Sequence, residues 1–436
     1  VFHTEATSAE QVAAAVARAT TAQPGWADRP VRERAELLDR IADRIEEAER
    51  ELTSLIVAEV GKRRDEAAAE VAWAAFSARW YAQHPPSDEQ CGEAVVRRRP
   101  LGVVAAITPW NVPLVTPGWK WLPALLAGNT VLWKPSERST ATAVATQQLV
   151  AESGLPDDVL QVVPGAADTA TALCGDARVD GIHFTGSTAA GRAISRQVAE
   201  RFARCSLEMS GINVAVVFAD ADVEAAAEAI VASAIAINGQ KCSAARRVLV
   251  ERSIEPTLLE ALGARVAALQ PGDPNDPLTD LGPLIHPDAA DQARQAVDLA
   301  LGRGARVVAS SAEVAEVEAA FPATVLTDVA ADDDLRTREV FAPVLSVENF
   351  GDRQTVWERA NEGPYGLTAS IHTSDPALVA AGLRWLRTGV IAVNRRSDEV
   401  GLEAPFAGRK MSGNGPPEGG TYVYEGLTAW QAAYGV

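Results

Sequence analysis

The first eighty residues show the spacing of amphipathic helices. Apolar side chains recur every three or four residues inside charged stretches, at Val12, Ala15 and Val16 and again at Leu37, Leu38, Ile41 and Ile45. Residues spaced in this way share one face of an α-helix, while the charged residues occupy the opposite face. Residues 8–82 are therefore predicted to form long helices.

Short, mostly apolar runs alternate with helical stretches over the rest of the chain. They lie at 102–107, 129–133, 159–163 and 181–184, and then at 213–218, 247–250, 306–308 and 390–393. Runs that are apolar on both faces and alternate with helices are typical of parallel strands in a doubly wound sheet. The two series predict an α/β fold with two doubly wound, Rossmann-like domains of similar size.

Two segments are predicted to lie outside these domains, as a small β arm used in oligomerisation: 83–99 and 416–436. Within the first, 93–98 is predicted as an exposed strand. Within the second, the alternating residues 421–427 are predicted as an edge strand that pairs with the sheet of a partner subunit. The loop 271–284, rich in Pro, Asp and Gly, is predicted to be a surface connection within the second domain.

Composition narrows the possible partners. The length suits two or three domains, and 58 acidic against 40 basic residues give a net charge of −18. Since the basic residues are concentrated only at 97–99, neither nucleic acid nor an anionic membrane is expected as a partner.

No apolar run approaches the roughly 18 residues of a membrane helix, and a cytoplasmic protein is predicted. The four cysteines and five histidines are dispersed, so neither a disulfide framework nor a metal site is expected.

Cys242 is a candidate nucleophile. It follows a glycine-containing turn and adjoins Lys241, whose positive charge is expected to lower the pKa of the thiol and favour the reactive thiolate. A buried, inert cysteine is the competing interpretation. That interpretation is retained for Cys91, Cys174 and Cys205.

Two further polar residues follow predicted strands. Glu208 lies among apolar and small residues, where a raised pKa suits a general base; a solvated loop carboxylate is the alternative. Asn111 lies between two prolines, where a rigid amide can donate to an oxyanion; an Asx turn is the alternative.

Two turns are candidates for nucleotide binding. The turn in 184–192 joins a strand to a helix whose N-terminus suits a diphosphate at Ser187, although its spacing is GxxxxG and not GxGxxG. Lys134 and Glu137 follow another strand and are placed to grip ribose hydroxyls. Glu137 would repel a 2′-phosphate, which favours NAD over NADP. A plain connecting turn and an ordinary helix start are the alternatives.

These segments form part of a longer series of short motifs. The series comprises PLGV at 100–103, PWNVP at 109–113, AGNT at 127–130, KPSE at 134–137, FTGS at 184–187, LEM at 207–209, GQKC at 239–242, EVFAPV at 339–344, NEGPYGL at 361–367 and PFAGRKMSG at 405–413. In this order the motifs resemble the aldehyde dehydrogenase superfamily. The resemblance implies an enzyme that oxidises an aldehyde to an acid with NAD, or with NADP as the other possibility.

The resemblance implies four catalytic residues. Cys242 matches the nucleophile that attacks the aldehyde, and Asn111 with the Cys242 backbone N–H matches the oxyanion hole. Glu208 matches the base that activates water to hydrolyse the thioester. Lys120 matches the lysine that supports proton handling near Glu208.

The resemblance also implies the cofactor and domain assignments. Residues 1–82 and 100–210 correspond to the NAD-binding domain, and 211–410 to the catalytic domain. Glu339 and Phe341 match the pair that holds the nicotinamide ribose and ring. The complete set of expected cofactor residues is Ile107, Thr108, Pro109, Trp110, Lys134, Ser136, Glu137, Gly186, Ser187, Glu339 and Phe341.

The substrate class stays open at this point. The candidate substrate-binding residues are Trp119, Lys241, Ser243, Arg395 and Arg396. The three cations would form a rim for an aldehyde that carries an anionic group, whereas Trp119 would line an apolar tunnel for an aromatic or aliphatic aldehyde. A CoA-acylating aldehyde dehydrogenase, an acyl-phosphate reductase and a non-catalytic binding protein are the competing functions; the presence of Cys242 and Glu208 argues against them.

The chain departs from the family pattern at four positions. Ser210 and Ile212 stand where Gly and Lys are usual, and Ala342 and Ala407 each replace a usual Gly. A side chain at 210 or 342 is expected to restrict backbone motion between reaction steps. A homodimer or homotetramer is the assembly that the resemblance implies.

Overall fold

Helices and strands alternate along the chain, as the apolar runs predict. The computed structural model describes residues 5–313, 317 and 319–436, so the first four residues of the predicted first domain lie outside it. The helices are α1 (Ala9–Ala27), α2 (Val31–Glu47), α3 (Glu49–Val60), α4 (Arg64–Gln83), α5 (Val115–Ala127), α6 (Thr140–Glu152), α7 (Ala167–Gly175), α8 (Thr188–Ala199), α9 (Val223–Ile235), α10 (Glu255–Ala268), α11 (Pro287–Gly302), α12 (Asp334–Thr337), α13 (Val356–Ala360), α14 (Pro376–Trp385) and α15 (Tyr424–Leu427).

The strands overlap all eight predicted runs and also include 324–327, 344–350 and 368–372, which were not among those runs. They are β1 (Glu89–Cys91), β2 (Ala94–Pro100), β3 (Val103–Ile107), β4 (Thr130–Lys134), β5 (Leu160–Val162), β6 (Gly181–Thr185), β7 (Arg204–Glu208), β8 (Asn213–Val217), β9 (Ala245–Glu251), β10 (Arg306–Ser310), β11 (Thr324–Thr327), β12 (Val344–Phe350), β13 (Tyr365–Gly366), β14 (Thr368–His372), β15 (Val390–Val393), β16 (Arg409–Lys410), β17 (Gly413–Asn414) and β18 (Thr428–Tyr434).

Two mostly parallel sheets confirm the predicted α/β class. The first has the order β17-β7-β6-β3-β4-β5, and the second has the order β10-β11-β12-β9-β8-β14-β15. Only the edge strands β17 and β10 run antiparallel to their neighbours. Strands such as β3 and β8 are buried along their whole length, because helices cover both faces of a doubly wound sheet.

The carboxyl ends of the first sheet lie side by side. Ile107 is paired with Lys134 on one side and with Phe184 on the other, and Thr185 is paired with Glu208. The residues that follow β3, β4, β6 and β7 therefore meet at one edge, where open α/β sheets bind their ligands.

The third sheet is antiparallel and has the order β1-β2-β18. The predicted edge strand at 421–427 is wrong in position. Residues Thr421–Val423 form a 3-10 helix and Tyr424–Leu427 a short α-helix, and the strand is Thr428–Tyr434. Cys91, predicted to be buried, is exposed because β1 is an edge strand. Cys174 is buried and Cys205 is half-buried.

The loop 271–284 is less superficial than predicted. Leu281 is 1% exposed, and the backbone N–H of Gly282 donates to Asn238 Oδ1 at 2.7 Å. The end of this loop therefore packs under the segment that precedes Cys242. Among the described residues, no helix combines the length and the apolar character needed to cross a membrane.

Candidate active site

A cavity of about 1000 Å³ brings together most of the predicted site residues. Its wall includes segments that follow β3, β6, β7 and β15, the helices α4 and α5, and the loop between α9 and β9. The predicted residues that line it are Pro109, Trp110, Asn111, Trp119, Gly186, Ser187, Lys241, Cys242, Ser243, Glu339, Phe341, Arg395 and Arg396.

Cys242 lies in a strained loop between α9 and β9. Ile237, Asn238 and Gly239 have φ angles of 52°, 56° and 76°. A left-handed conformation costs a non-glycine residue about 1–3 kcal/mol and persists only where the surroundings hold it. Such strain is common at active sites, and here it lies three to five residues before the nucleophile.

Hydrogen bonds from distant segments hold the strained loop. Ile237 N donates to Glu66 Oε1 at 2.9 Å, and Asn238 Nδ2 donates to the carbonyls of Gly61 and Pro283, each at 2.9 Å. These contacts fix the backbone before the loop reaches Cys242.

Asn111 and Cys242 line the same cavity, and Asn111 is tied to the loop of Cys242. Asn111 Nδ2 donates to the carbonyl of Gln240 at 2.9 Å. Gln240 Oε1 in turn accepts from Ile285 N at 2.8 Å. Asn111 thus has the rigidity that an oxyanion donor requires, and its amide carries a second N–H hydrogen.

The pKa of the Cys242 thiol does not follow the sequence prediction. Lys241 lowers it, as expected, but burial and the negative charge of Glu339 outweigh that effect and raise the pKa to about 12. The thiol is therefore neutral at physiological pH, and a base must remove its proton before it can act as a nucleophile.

Glu208 lies at the end of β7 but does not line the cavity. Its Oε2 accepts from the backbone N–H of Gly408 at 2.9 Å. Burial and the charge of Glu418 raise its pKa well above the usual value, and the Gly408 bond and Lys120 oppose this shift. A carboxyl group with a raised pKa matches the behaviour predicted for a general base.

Lys120 reaches this group from α5. Its ammonium forms a buried ion pair with Glu418 and donates to Thr185 Oγ1 at 2.6 Å. Sequence reasoning missed Glu418, which lines the cavity. The segment around it, Pro-Pro-Glu-Gly-Gly at 416–420, is the only sequence signal that pointed to it.

Glu339 faces the cavity from the segment after α12. Its Oε1 accepts from Gly211 N at 3.2 Å. Burial raises its pKa to about 7, while the positive charge of Arg246 and hydrogen bonds from Ser210 and Gly211 lower it. The Ser that replaces the expected Gly at position 210 is thus a hydrogen-bond donor to this carboxylate.

Two aromatic rings adjoin the position of Glu339. Phe341 and Trp110 meet edge to face, with ring centroids 5.7 Å apart and an interplanar angle of 88°. Both rings line the cavity, and they offer flat apolar surfaces beside the carboxylate.

The remaining cofactor candidates lie at the ends of β3 and β4, outside the wall of this cavity: Ile107, Thr108, Lys134, Ser136 and Glu137. Thr108 Oγ1 accepts from the indole N–H of Trp133 at 2.9 Å. Lys134 is buried, which lowers its pKa, and the charge of Glu137 opposes that shift. Glu137 itself is exposed to solvent.

The predicted cationic rim is largely neutralised. Lys241 Nζ contacts Asp398 Oδ2 at 2.9 Å, and Arg396 binds both oxygens of the same carboxylate at 2.9 and 3.0 Å. Arg395 pairs with Glu399 at 3.0 Å. Asp398 and Glu399 were not predicted, although only Ser397 separates them from the two arginines in the sequence.

Apolar side chains line the cavity beside these ion pairs. Trp119 packs edge to face against Phe406, with ring centroids 6.5 Å apart, and its indole N–H donates to Ser77 Oγ at 3.1 Å. Trp73 and Val115 also line this part. Ser243 acts through its backbone, because its carbonyl accepts from Thr368 and Ser397.

The described residues contain no group of three or more His, Cys, Asp or Glu side chains arranged to hold a metal ion.

Comparisons with known proteins match nearly the whole chain. A model described as the aldehyde dehydrogenase family matches residues 1–433. The aspartate-semialdehyde dehydrogenase (non-phosphorylating) of Halomonas elongata is 36% identical to this chain. The match covers 98% of this chain and 88% of that protein. The lactaldehyde dehydrogenase of Escherichia coli is 35% identical, over 96% of this chain and 89% of that protein. The crystal structure of PnpE in complex with nicotinamide adenine dinucleotide superposes with a TM-score of 0.93 and is 32% identical, over 98% of this chain and 90% of that one.

Proposed function

The chain belongs to the aldehyde dehydrogenase family, and we propose that its substrate is a neutral aldehyde with an apolar body, oxidised through a thioester on Cys242. Members of this family oxidise aldehydes to acids, and the hydride acceptor is NAD or NADP. The observation that carries the substrate proposal is the pairing of Lys241 and Arg396 with one buried carboxylate, Asp398.

The proposed chemistry starts at the thiol. Cys242 gives its proton to water in the cavity and adds as a thiolate to the aldehyde carbon, and Asn111 donates to the oxygen that becomes negative. Bound NAD or NADP supplies the acceptor for the hydride that leaves the thiohemiacetal carbon. Glu208 then removes a proton from the water that hydrolyses the thioester. Glu208 lies behind the cavity wall, so this role requires its side chain to turn away from Gly408.

The residues present fit a nicotinamide nucleotide. Glu339 offers a carboxylate for ribose hydroxyls, Phe341 and Trp110 offer flat surfaces, and Ser187 begins an α-helix of 12 residues whose N-terminus suits a diphosphate. We assign Lys134 and Glu137 to the other ribose. Accordingly, residues 1–82 and 100–210 form the proposed cofactor domain, and 211–410 the proposed catalytic domain.

The substrate proposal rests on the paired cations of the cavity and on the aromatic side chains that line it. Because Lys241, Arg395 and Arg396 are paired with carboxylates, the cavity offers little uncompensated positive charge to an anionic substrate. Trp73, Trp119 and Phe406 provide aromatic surface instead. Aromatic walls of this kind suit the apolar body of a ligand.

A carboxylated aldehyde is the second candidate. Arg395 is 60% exposed despite its pairing, and Arg63 also lines the cavity. The substrates named for the two relatives differ in charge, because aspartate semialdehyde carries a carboxylate and lactaldehyde does not.

Steady-state kinetics separates the two candidates. We would measure kcat/KM with NAD for benzaldehyde, hexanal and lactaldehyde against succinic and aspartic semialdehydes. A preference of tenfold or more for the neutral members supports the proposal, and the reverse preference overturns it. Oxidation that requires CoA or phosphate would contradict hydrolysis by Glu208.

We also propose that the β arm joins two copies of the chain. Strand β18 forms an edge of its sheet, and Trp430 and Tyr434 on it are 45% and 76% exposed. Light scattering of the purified protein should show a dimer or tetramer; a monomer at micromolar concentration would contradict this assignment.

A further inference from the structure

Arg246 is a buried cation that the sequence did not single out. It lies at the start of β9, four residues after Cys242, and its residue surface is only 6% exposed. Within the described chain, the hydrogen bonds of its guanidinium all go to backbone carbonyls. Burial of an arginine that forms no ion pair costs free energy of folding. The position of Arg246 therefore suggests a function that offsets this cost.

The carbonyls that it binds belong to two different segments. Arg246 Nη2 donates to the carbonyl of Gly239, with a longer contact of 3.5 Å to Lys241. Arg246 Nη1 donates to the carbonyl of Ala342 at 2.9 Å. One guanidinium therefore spans the segment 237–244, which carries Cys242, and the segment 339–343, which carries Glu339.

The two segments also touch directly. A Cβ atom at Gly239 would overlap the backbone of Ala342 and Pro343. Gly239 has a φ of 76°, so the close approach and the left-handed backbone both require glycine. The two backbones are therefore in close contact at the point that the guanidinium bridges.

We propose that Arg246 is a positioning residue that fixes the segment of the nucleophile against the segment of the cofactor carboxylate. Arginine suits this task because its planar fork donates in several fixed directions, whereas the lysine ammonium is a single point of charge. The proposal rests on the roles proposed above for Cys242 and Glu339 and goes beyond them.

The charge of Arg246 adds a second effect on the same pair. Its positive charge lowers the pKa of Glu339, which burial raises to about 7. Loss of the charge should raise the pKa of Glu339, so that Glu339 ionises at higher pH. The rise in affinity for NAD that accompanies this ionisation should then also occur at higher pH.

Two substitutions separate geometry from charge. Arg246→Lys keeps the charge but cannot hold both segments, and Arg246→Met removes both. Arg252→Met is the matched control, because Arg252 is an exposed arginine directly after the same strand. For each protein we would measure the NAD dissociation constant from pH 5.5 to 9, KM and kcat, and the rate of Cys242 alkylation by iodoacetamide.

Arg246→Lys should raise KM for NAD about tenfold or more and change the alkylation rate by a similar factor, with the pH midpoint of NAD binding unchanged. Arg246→Met should in addition move that midpoint upward. Both effects on NAD should disappear in a Glu339→Gln background, because that substitution removes the group through which they act.

A folded Arg246→Lys protein with the parent KM, kcat and alkylation rate would overturn the proposal, even if its melting temperature is lower. If Arg246→Met does not fold, the Lys variant alone decides. Failure of the proposed function is a separate result, since it appears in the parent protein as an absence of NAD reduction or of inactivation by iodoacetamide.

Discussion

Lys120 forms a buried ion pair with Glu418 beside Thr185, on the inner side of the cavity. The pair is linked to a second carboxyl group, because the charge of Glu418 raises the pKa of Glu208 and that of Lys120 lowers it. The pKa of Glu208 therefore depends on the charges of both neighbouring side chains. This arrangement suits a base that must take up and release protons during thioester hydrolysis.

Removal of the base should trap the thioester. In Glu208→Gln, we expect hydride transfer to continue and hydrolysis to slow at least about a hundredfold, since general base catalysis contributes factors of this size. Intact mass after one turnover should show the acyl adduct on the protein. Glu200→Gln, an exposed glutamate after α8, serves as the control. Steady turnover at the parent rate with no adduct would place the base elsewhere.

Loss of the nucleophile should abolish oxidation without loss of cofactor binding. For Cys242→Ala we expect kcat to fall at least about a thousandfold, since no other described group of the cavity wall is a thiol. The dissociation constant for NAD should stay within about twofold. Cys205→Ala, at the second position of β7, is the matched control. A tenth of the parent rate in Cys242→Ala would refute the assignment.

The exposed carboxylate of Glu137 should discriminate between the two cofactors. It lies after β4, near Lys134, and its charge repels a 2′-phosphate. Glu137→Ala should therefore raise kcat/KM for NADP relative to NAD by about tenfold. Glu152→Ala, which removes an exposed charge at the far end of α6, should leave the ratio unchanged. An identical ratio in both variants would exclude a ribose role for Glu137.

The sheets and the first helices could be predicted because their patterns are local. A strand buried on both faces is a continuous apolar run, as in Val103–Ile107, and a helix that covers a sheet repeats its apolar residues every three or four positions. The β arm was harder to predict, because polar and apolar residues alternate in 421–427 as they do in a strand. The structure bends there at Gly420, with φ of 53°, and Tyr424 OH donates to the carbonyl of His84, which fixes a short helix.

Most of the predicted site residues line one cavity, but their electrostatics could not be predicted from the sequence. Asn111, Cys242 and Glu339 line the same cavity, as expected, and each lies within a recognisable motif. The pKa of Cys242 depends on burial and on Glu339, which is 97 residues away in the sequence. The pairing of Lys241 with Asp398 has a similar origin. Contacts of this kind depend on tertiary packing, for which the sequence offers no periodic signal.

The hydroxyl at position 210 should set the pH at which NAD binds. Ionised Glu339 accepts from ribose hydroxyls, so NAD affinity should rise as pH increases through its pKa of about 7. The Ser210 hydrogen bond lowers that pKa, and Ser210→Ala should therefore move the midpoint to higher pH. Fluorescence titration with NAD from pH 5.5 to 9 measures it, with the exposed Ser253→Ala as the control. A midpoint that stays in place, or moves to lower pH, would show that Ser210 does not act on Glu339.

The carboxylate of Asp398 should determine which aldehydes the cavity accepts. It is nearly inaccessible to solvent and neutralises both Lys241 and Arg396, which hold its pKa below the usual value. Asp398→Asn keeps the shape of the side chain but removes its charge, so the two cations become available to a carboxylated substrate. We expect kcat/KM for succinic semialdehyde to rise about tenfold relative to hexanal.

The matched control for this last substitution is Asp291→Asn. Asp291 also pairs with an arginine, Arg294, but on the surface of α11, where loss of one charge should leave the ratio of the two aldehydes unchanged. The same ratio in Asp398→Asn and in the parent would mean that Lys241 and Arg396 do not face the substrate. In that case the pairing would explain only the stability of the loop, and the neutral preference would have to come from Trp119 and Phe406 alone.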